Sequence, residues 1–100
     1  MPLEVRWTAR ASDEVTRIVE YLDSRDPSWG DVVAAAISEK LEFISGTPYL
    51  SSIFETSTRG DIREVLAASY RIFFSIDEQR QRIWIESIRH VHQQDPDFSE

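Results

Sequence analysis

The stretch Tyr70-Arg71-Ile72-Phe73-Phe74-Ser75-Ile76-Asp77, followed by Arg82-Ile83-Trp84-Ile85-Glu86-Ser87-Ile88-Arg89-His90-Val91-His92, decides how this chain folds. Both runs are rich in β-branched and aromatic residues and read as strands. The polar turn Asp77-Glu78-Gln79-Arg80-Gln81 makes them an antiparallel hairpin. Side chains alternate along a strand, so Ile72, Phe74 and Ile76 share one face while Arg71, Phe73 and Ser75 share the other. Arginine in an apolar strand is costly unless its guanidinium reaches a face that an anion can occupy. Function is therefore expected on the arginine face, with the rest of the chain as its scaffold.

Upstream of the hairpin, Leu3 to Trp7 is a short strand and Thr8 an N-cap for a helix over about Ala9 to Ser24. Val15, Ile18, Val19 and Leu22 fall at i, i+3, i+4 and i+7 and form its apolar stripe. Asp26-Pro27 is a second start signal, a capping aspartate before proline at the first helical position. That helix runs from Pro27 to about Ser45 on a stripe of Val33, Ile37, Leu41 and Ile44, with Gly46 suited to a left-handed cap and Pro48 blocking continuation. Helices this close in sequence form an antiparallel pair. Thr47 to Gly60 reads as a loop pinned by Tyr49, Leu50, Ile53 and Phe54, and Ile62 to Ala67 as a further strand. Residues 91–100 read as a polar tail over the surface. The expected fold is a single α+β domain over residues 1–100, in the order β-α-α-β-β-β, with a helical hairpin packed on one face of a small antiparallel sheet.

Composition narrows the chemistry. The 100 residues carry no cysteine, which excludes disulfides and thiolate metal sites. No apolar run approaches the roughly 20 residues of a membrane span, and no secretory leader is visible, so a soluble cytoplasmic protein without membrane contact is expected. The net charge of -7 opposes simple nucleic-acid binding. The balance is uneven: residues 59–92 hold six arginines against five acids, whereas residues 1–58 hold five basic and ten acidic side chains.

Arg71 and Arg89 are the leading candidates for binding a carboxylate or phosphate. The bland alternative is a cross-strand ion pair with Glu64 or Glu86, stabilising by about 0.2–1 kcal/mol. Arg63 is a candidate for the same face, and Trp84 and Phe73 could stack on a base or face a partner. His90 and His92, the only histidines, could act as acid and base in RNA cleavage beside an arginine. They lack a third ligand with firm spacing, so no metal site and no cofactor are expected. Trp29 reads as a packing residue, and Asp13, Glu14, Glu20, Glu39 and Glu42 as solvated helix faces.

Thr8-Ala9, Ile18-Val19-Glu20-Tyr21-Leu22, Pro48, Tyr70-Arg71-Ile72-Phe73-Phe74, Ile88-Arg89-His90 and Asp95-Pro96 resemble the RelE/ParE superfamily of bacterial type II toxins over nearly all of residues 3–98. The resemblance implies a toxin neutralised by a cognate proteinaceous antitoxin, ParD-like or similar, in a heteromeric complex. RelE-like members cut messenger RNA in the ribosome, which on this chain would assign catalysis to Arg71, Arg89, His90 and His92. Where RelE carries lysines on the preceding strand this chain has Ile62 and Glu64, and its one lysine is Lys40. ParE-like members inhibit DNA gyrase by binding, and the long helical pair and the ending Arg89 to Pro96 look more like that branch. The favoured expectation is thus a ParE-like inhibitor that is not an enzyme, meeting its target through Arg63, Arg71, Phe73, Trp84 and Arg89. Its antitoxin would cover Tyr21, Leu22, Trp29 and Phe54. A ribosome-dependent endoribonuclease is the first alternative, and a non-toxic binding domain of the same fold the second.

Overall fold

A computed structural model describes residues 2–56 and 60–99 of the chain. Its elements are β1 (Glu4–Trp7), α1 (Ala9–Arg25), α2 (Pro27–Gly46), a single 3₁₀ turn (Pro48–Leu50), β2 (Ser52–Glu55), β3 (Ile62–Ala67), β4 (Tyr70–Asp77) and β5 (Arg82–His90). The two helices pack on one face of a five-stranded sheet of order β1-β5-β4-β3-β2. This is the expected α+β architecture with two differences.

First, β1 joins the sheet parallel to β5, pairing Glu4 with Arg82 through Trp7 with Ile85, so the sheet is mixed. Its docking is set by side chains beyond the strand itself. Thr8 Oγ1 donates to Ile85 O at 3.0 Å, and Ser45 Oγ at the end of α2 donates to Leu3 O at 2.7 Å. Second, part of the expected loop is strand β2, antiparallel to β3. An edge strand of four residues lacks the length for a periodic signal, which is why the sequence pattern misses it. Residues 57–59 of the expected loop lie outside the described residues.

Both helix starts follow their caps. Thr8 Oγ1 accepts from Ala11 N at 3.1 Å, and Asp26 Oδ1 accepts from Ser28 N at 3.0 Å. Asp26 is at once the C-cap of α1 and the N-cap of α2, so the helices join without a loop. This sharp junction forces close approach: a β-carbon on Gly30 would lie 1.9 Å from Asp23 Oδ1. The expected left-handed Gly46 is not found; it is the last residue of α2, and Thr47 ends the helix with its N–H and hydroxyl both bonded to Phe43 O. A hydroxyl bonded back to the last turn removes the need for a left-handed residue, and Pro48 then blocks propagation.

The core lies between helices and sheet, where Leu22, Ile37 and Ile44 meet Ile72, Phe74, Ile83, Ile85 and Ile88. The turn between β3 and β4 is Ala68-Ser69, with Ala68 at φ 53. A β-carbon there is strained in a way that glycine is not. Ala68→Gly is expected to stabilise the domain by about 0.5–1 kcal/mol, read as a raised urea midpoint at unchanged slope.

Candidate functional site: the arginine face of the sheet

The position of the candidate residues depends on a β-bulge. Phe73 pairs with Ser87, but the next residue, Phe74, pairs with Ile85, so Glu86 is the extra residue on β5. Strict alternation from the buried Ile83 and Ile85 would have put residue 89 on the helix side. The bulge resets the phase. Ile88 returns to the core, and Arg89 comes directly opposite Arg71 on the face away from the helices. Like charges opposite one another on a sheet repel, and each guanidinium is accordingly neutralised by its own carboxylates.

Arg71 Nε donates to Glu64 Oε2 at 2.6 Å and its Nη1 to Asp95 Oδ1 at 2.7 Å. Its side chain is only 16% exposed. The Phe73 ring lies 4.9 Å and the Phe54 ring 5.8 Å from its guanidinium carbon. The hydrogen bond it donates to Glu64 foremost, then that to Asp95, raises its pKa above the ordinary arginine value. The bland cross-strand pairing with Glu64 is therefore present, and a second carboxylate joins it from the chain's last segment.

Arg89 is held from the other side. Glu14 of α1 reaches the edge of β5 beyond the end of β1 and accepts from Ile88 N at 3.0 Å and Ser87 Oγ at 2.8 Å. Its other oxygen lies 3.4 Å from Arg89 Nη2 and 3.7 Å from Arg10 Nε. Far from being a solvated face residue, Glu14 stands in for a missing neighbouring strand. Edge backbone groups need a partner, and a carboxylate supplies both acceptor and charge.

The expected surface tail is also different. Asp95 binds Arg71; Pro96 is buried; Asp97 O accepts from Arg10 Nη1 at 2.9 Å. The Phe98 ring sits 5.9 Å from that of Phe73 and 6.3 Å from that of Phe54, with the Arg10 guanidinium 5.1 Å from it. Sequence reading missed Glu14, Asp95 and Phe98 as members of this face. The available signal was an aromatic side chain alone in a polar segment, whose burial demands a socket.

The expected site residues thus divide. Arg71, Phe73 and Phe54 belong to one assembly, with Arg89 opposite Arg71 in register but turned to Glu14. Phe73 is 0% exposed, sealed by Phe54 and Phe98. Trp84 shares this face by register, opposite Ser75 and Arg6. Arg63 does not join it. It pairs with Phe74 in register, and its guanidinium turns to Ser51 O at 2.8 Å and over the Tyr49 ring. His90 and His92 lie together in a cleft of about 660 Å³ against α1, lined also by Arg17, Tyr21, Tyr70, Arg89 and Gln93. Their rings are 5.1 Å apart, and His92 N donates to His90 Nδ1. Of the residues assigned to an antitoxin, Leu22 belongs to the core and Phe54 to the arginine face, while Tyr21 and Trp29, each 56% exposed, stand on the helices. Among the described residues no cluster of His, Asp and Glu could hold a metal ion, and no helix is long and apolar enough to cross a membrane.

A family model described as the ParE toxin of the type II toxin-antitoxin system parDE matches residues 5–95. The chain belongs to the ParE toxin family. Its fold is shared with solved toxin-antitoxin structures. One is the complex RelBE2 from Mycobacterium tuberculosis, with a TM-score of 0.66 and 18% identity over 90% of this chain and 99% of that one. Another is the chromosomal ParDE system from P. aeruginosa, with a TM-score of 0.69 and 14% identity over 88% and 95% of the respective chains. No curated protein matches the sequence significantly. At such identities the structural likeness speaks for the fold of this ParE-family chain alone.

Proposed function

We propose that this ParE-family toxin acts by binding a protein target, DNA gyrase, and is held inactive by a cognate antitoxin. One observation carries the preference for binding over RNA cleavage. The two arginines that a ribonuclease of this fold would use are both consumed by internal carboxylates, Arg71 by Glu64 and Asp95, Arg89 by Glu14. Arg71 must break two charge-assisted hydrogen bonds, and Arg89 its ion pair with Glu14, before either can hold a phosphate. The histidine pair, which would supply acid and base, lines the cleft against α1 together with Arg89 but without Arg71. Net charge of -7 adds repulsion from any phosphate-lined site.

The antitoxin reading is supported by apolar surface on the helices. Trp29, Val32 and Phe43 of α2 are 56%, 63% and 48% exposed, and their spacing places them along one flank of the helix. Large apolar side chains aligned in this way are what an amphipathic partner segment covers. Tyr21 on α1 is likewise 56% exposed and lines the cleft that holds His90 and His92.

The test uses the purified, folded chain in two assays. It is expected to block supercoiling by gyrase at stoichiometric concentration and to leave message intact in a translating extract. Normal supercoiling at saturating protein removes the gyrase reading; codon-phased cuts that vanish in Arg71→Ala would replace it with ribonuclease action.

A further inference from the structure

The segment over the arginine face shows what that face can hold. Among the described residues, no backbone–backbone hydrogen bond joins residues 94–99 to the sheet. The segment is held by side chains at three points. The Asp95 carboxylate sits on Arg71, the Asp97 carbonyl accepts from Arg10, and the Phe98 ring closes over Phe54 and Phe73. Between them Pro96 is buried and keeps the segment extended. The groove therefore reads a carboxylate and, three residues on, an aromatic ring, with a carbonyl between them. Each contact is of a kind that another polypeptide can supply equally well.

We infer that the groove formed by Arg10, Phe54, Arg71 and Phe73 is a docking site for an acidic segment of a partner protein with the pattern carboxylate-x-x-aromatic, which residues 95–98 occupy in cis as a stand-in. The partner's segment binds by displacing this strap. A polypeptide is favoured over RNA because the present occupant is one, and because the anchoring carbonyl between the two side chains belongs to a peptide backbone. The ring socket is also apolar at its base, closed by two phenylalanines edge to face at 4.8 Å. The Arg10 and Arg71 guanidinium groups lie beside it, a setting that suits an aromatic side chain next to a carboxylate. The assignment rests on the reading of this face as a binding surface and is independent of which target the toxin meets.

The site makes a quantitative expectation. A strap tethered a few residues from its groove competes at an effective concentration of about 1 mM. A free peptide with an affinity near 0.1 mM is then weakened about tenfold by the strap in cis. The probe is a fluorescent peptide with the sequence of residues 93–99, Gln-Gln-Asp-Pro-Asp-Phe-Ser, titrated by anisotropy into the full chain. The expected result is at least tenfold tighter binding to the folded double variant Asp95→Ala/Phe98→Ala than to wild type. Binding should be lost when Arg71→Ala is added, and lost for a peptide whose Phe is replaced by Ala.

Equal affinities for wild type and a folded double variant would overturn the inference. So would a single-stranded RNA oligonucleotide that binds the double variant more tightly than the peptide, or a wild-type dimer that exchanges straps and excludes the peptide. If the double variant does not fold, isotope-labelled wild type decides. Excess unlabelled peptide should move the Phe98 and Ser99 amide resonances to free-chain positions, and unmoved resonances would end the proposal. Because the readout is peptide capture, a negative gyrase assay leaves it standing, and a failed titration leaves the gyrase reading standing.

Discussion

Phe73→Ala is expected to destabilise the domain by about 3–5 kcal/mol, the cost of deleting a fully buried aromatic side chain. Phe73 points away from the helices, on a face that antiparallel sheets often leave in water. If that face were open here, the loss would be about 1 kcal/mol or less, as for other surface positions. The large value is expected because Phe54, Phe98 and the Arg71 guanidinium enclose the ring, leaving it 0% exposed. Urea unfolding followed by circular dichroism measures the difference. A second readout, cleavage by chymotrypsin after Phe98, should accelerate in the variant before global unfolding does, since the strap loses its seat. A loss below about 1 kcal/mol with unchanged cleavage would mean that the strap does not cover this face in solution.

Glu14→Ala should cost about 2–3 kcal/mol, or roughly 10–20 °C in melting temperature for a domain of this size. One carboxylate satisfies the Ile88 N–H, the Ser87 hydroxyl and the charge on Arg89. Ser87 is fully buried, so removal of its acceptor strands a buried donor. Glu14→Gln keeps an oxygen for the two neutral donors and loses only the attraction to Arg89 and Arg10. It should therefore recover more than half of the loss. Alanine and glutamine variants equal to wild type within about 0.5 kcal/mol would show that water replaces Glu14 at the strand edge. The same pair of variants bears on function, because freeing Arg89 without freeing Arg71 tests whether an unpaired guanidinium opposite Arg71 changes the preferred target.

The two variants probe opposite ends of one device. Glu14 ties the β5 edge to α1, and the strap ties the β4 face to β2 and α1 through Arg10. Arg10 links them directly, near Glu14 Oε2 on one side and bonded to Asp97 O on the other. Their effects are therefore expected to be non-additive.

Much of this fold was legible along the chain. The two helices are capped at Thr8 and Asp26 as the sequence implies, because a capping side chain and the N–H that donates to it lie within three residues of one another. Strands β3, β4 and β5 likewise follow from local composition and turn chemistry, as do the stripes that place Leu22, Ile37 and Ile44 in the core. Arg71 was identified because charge inside an apolar run is costly wherever the strand lies. Its partner Glu64, on the preceding strand, is one of the two carboxylates that the sequence places within reach of it.

What the chain order could not contain was decided by contacts between distant residues. The parallel pairing of β1 with β5, the single-residue bulge at Glu86, the reach of Glu14 to Ile88 and the seating of Phe98 on Phe73 all depend on where other elements come to rest. A bulge leaves no periodic mark, yet it turns every later side chain to the opposite face. Local periodicity thus determined the helices, strands β3 to β5 and the presence of an arginine on the sheet. Only the assembled sheet decided that this arginine is closed by the chain's own carboxylates, since ion pairing is settled by distance in space and not by spacing in sequence.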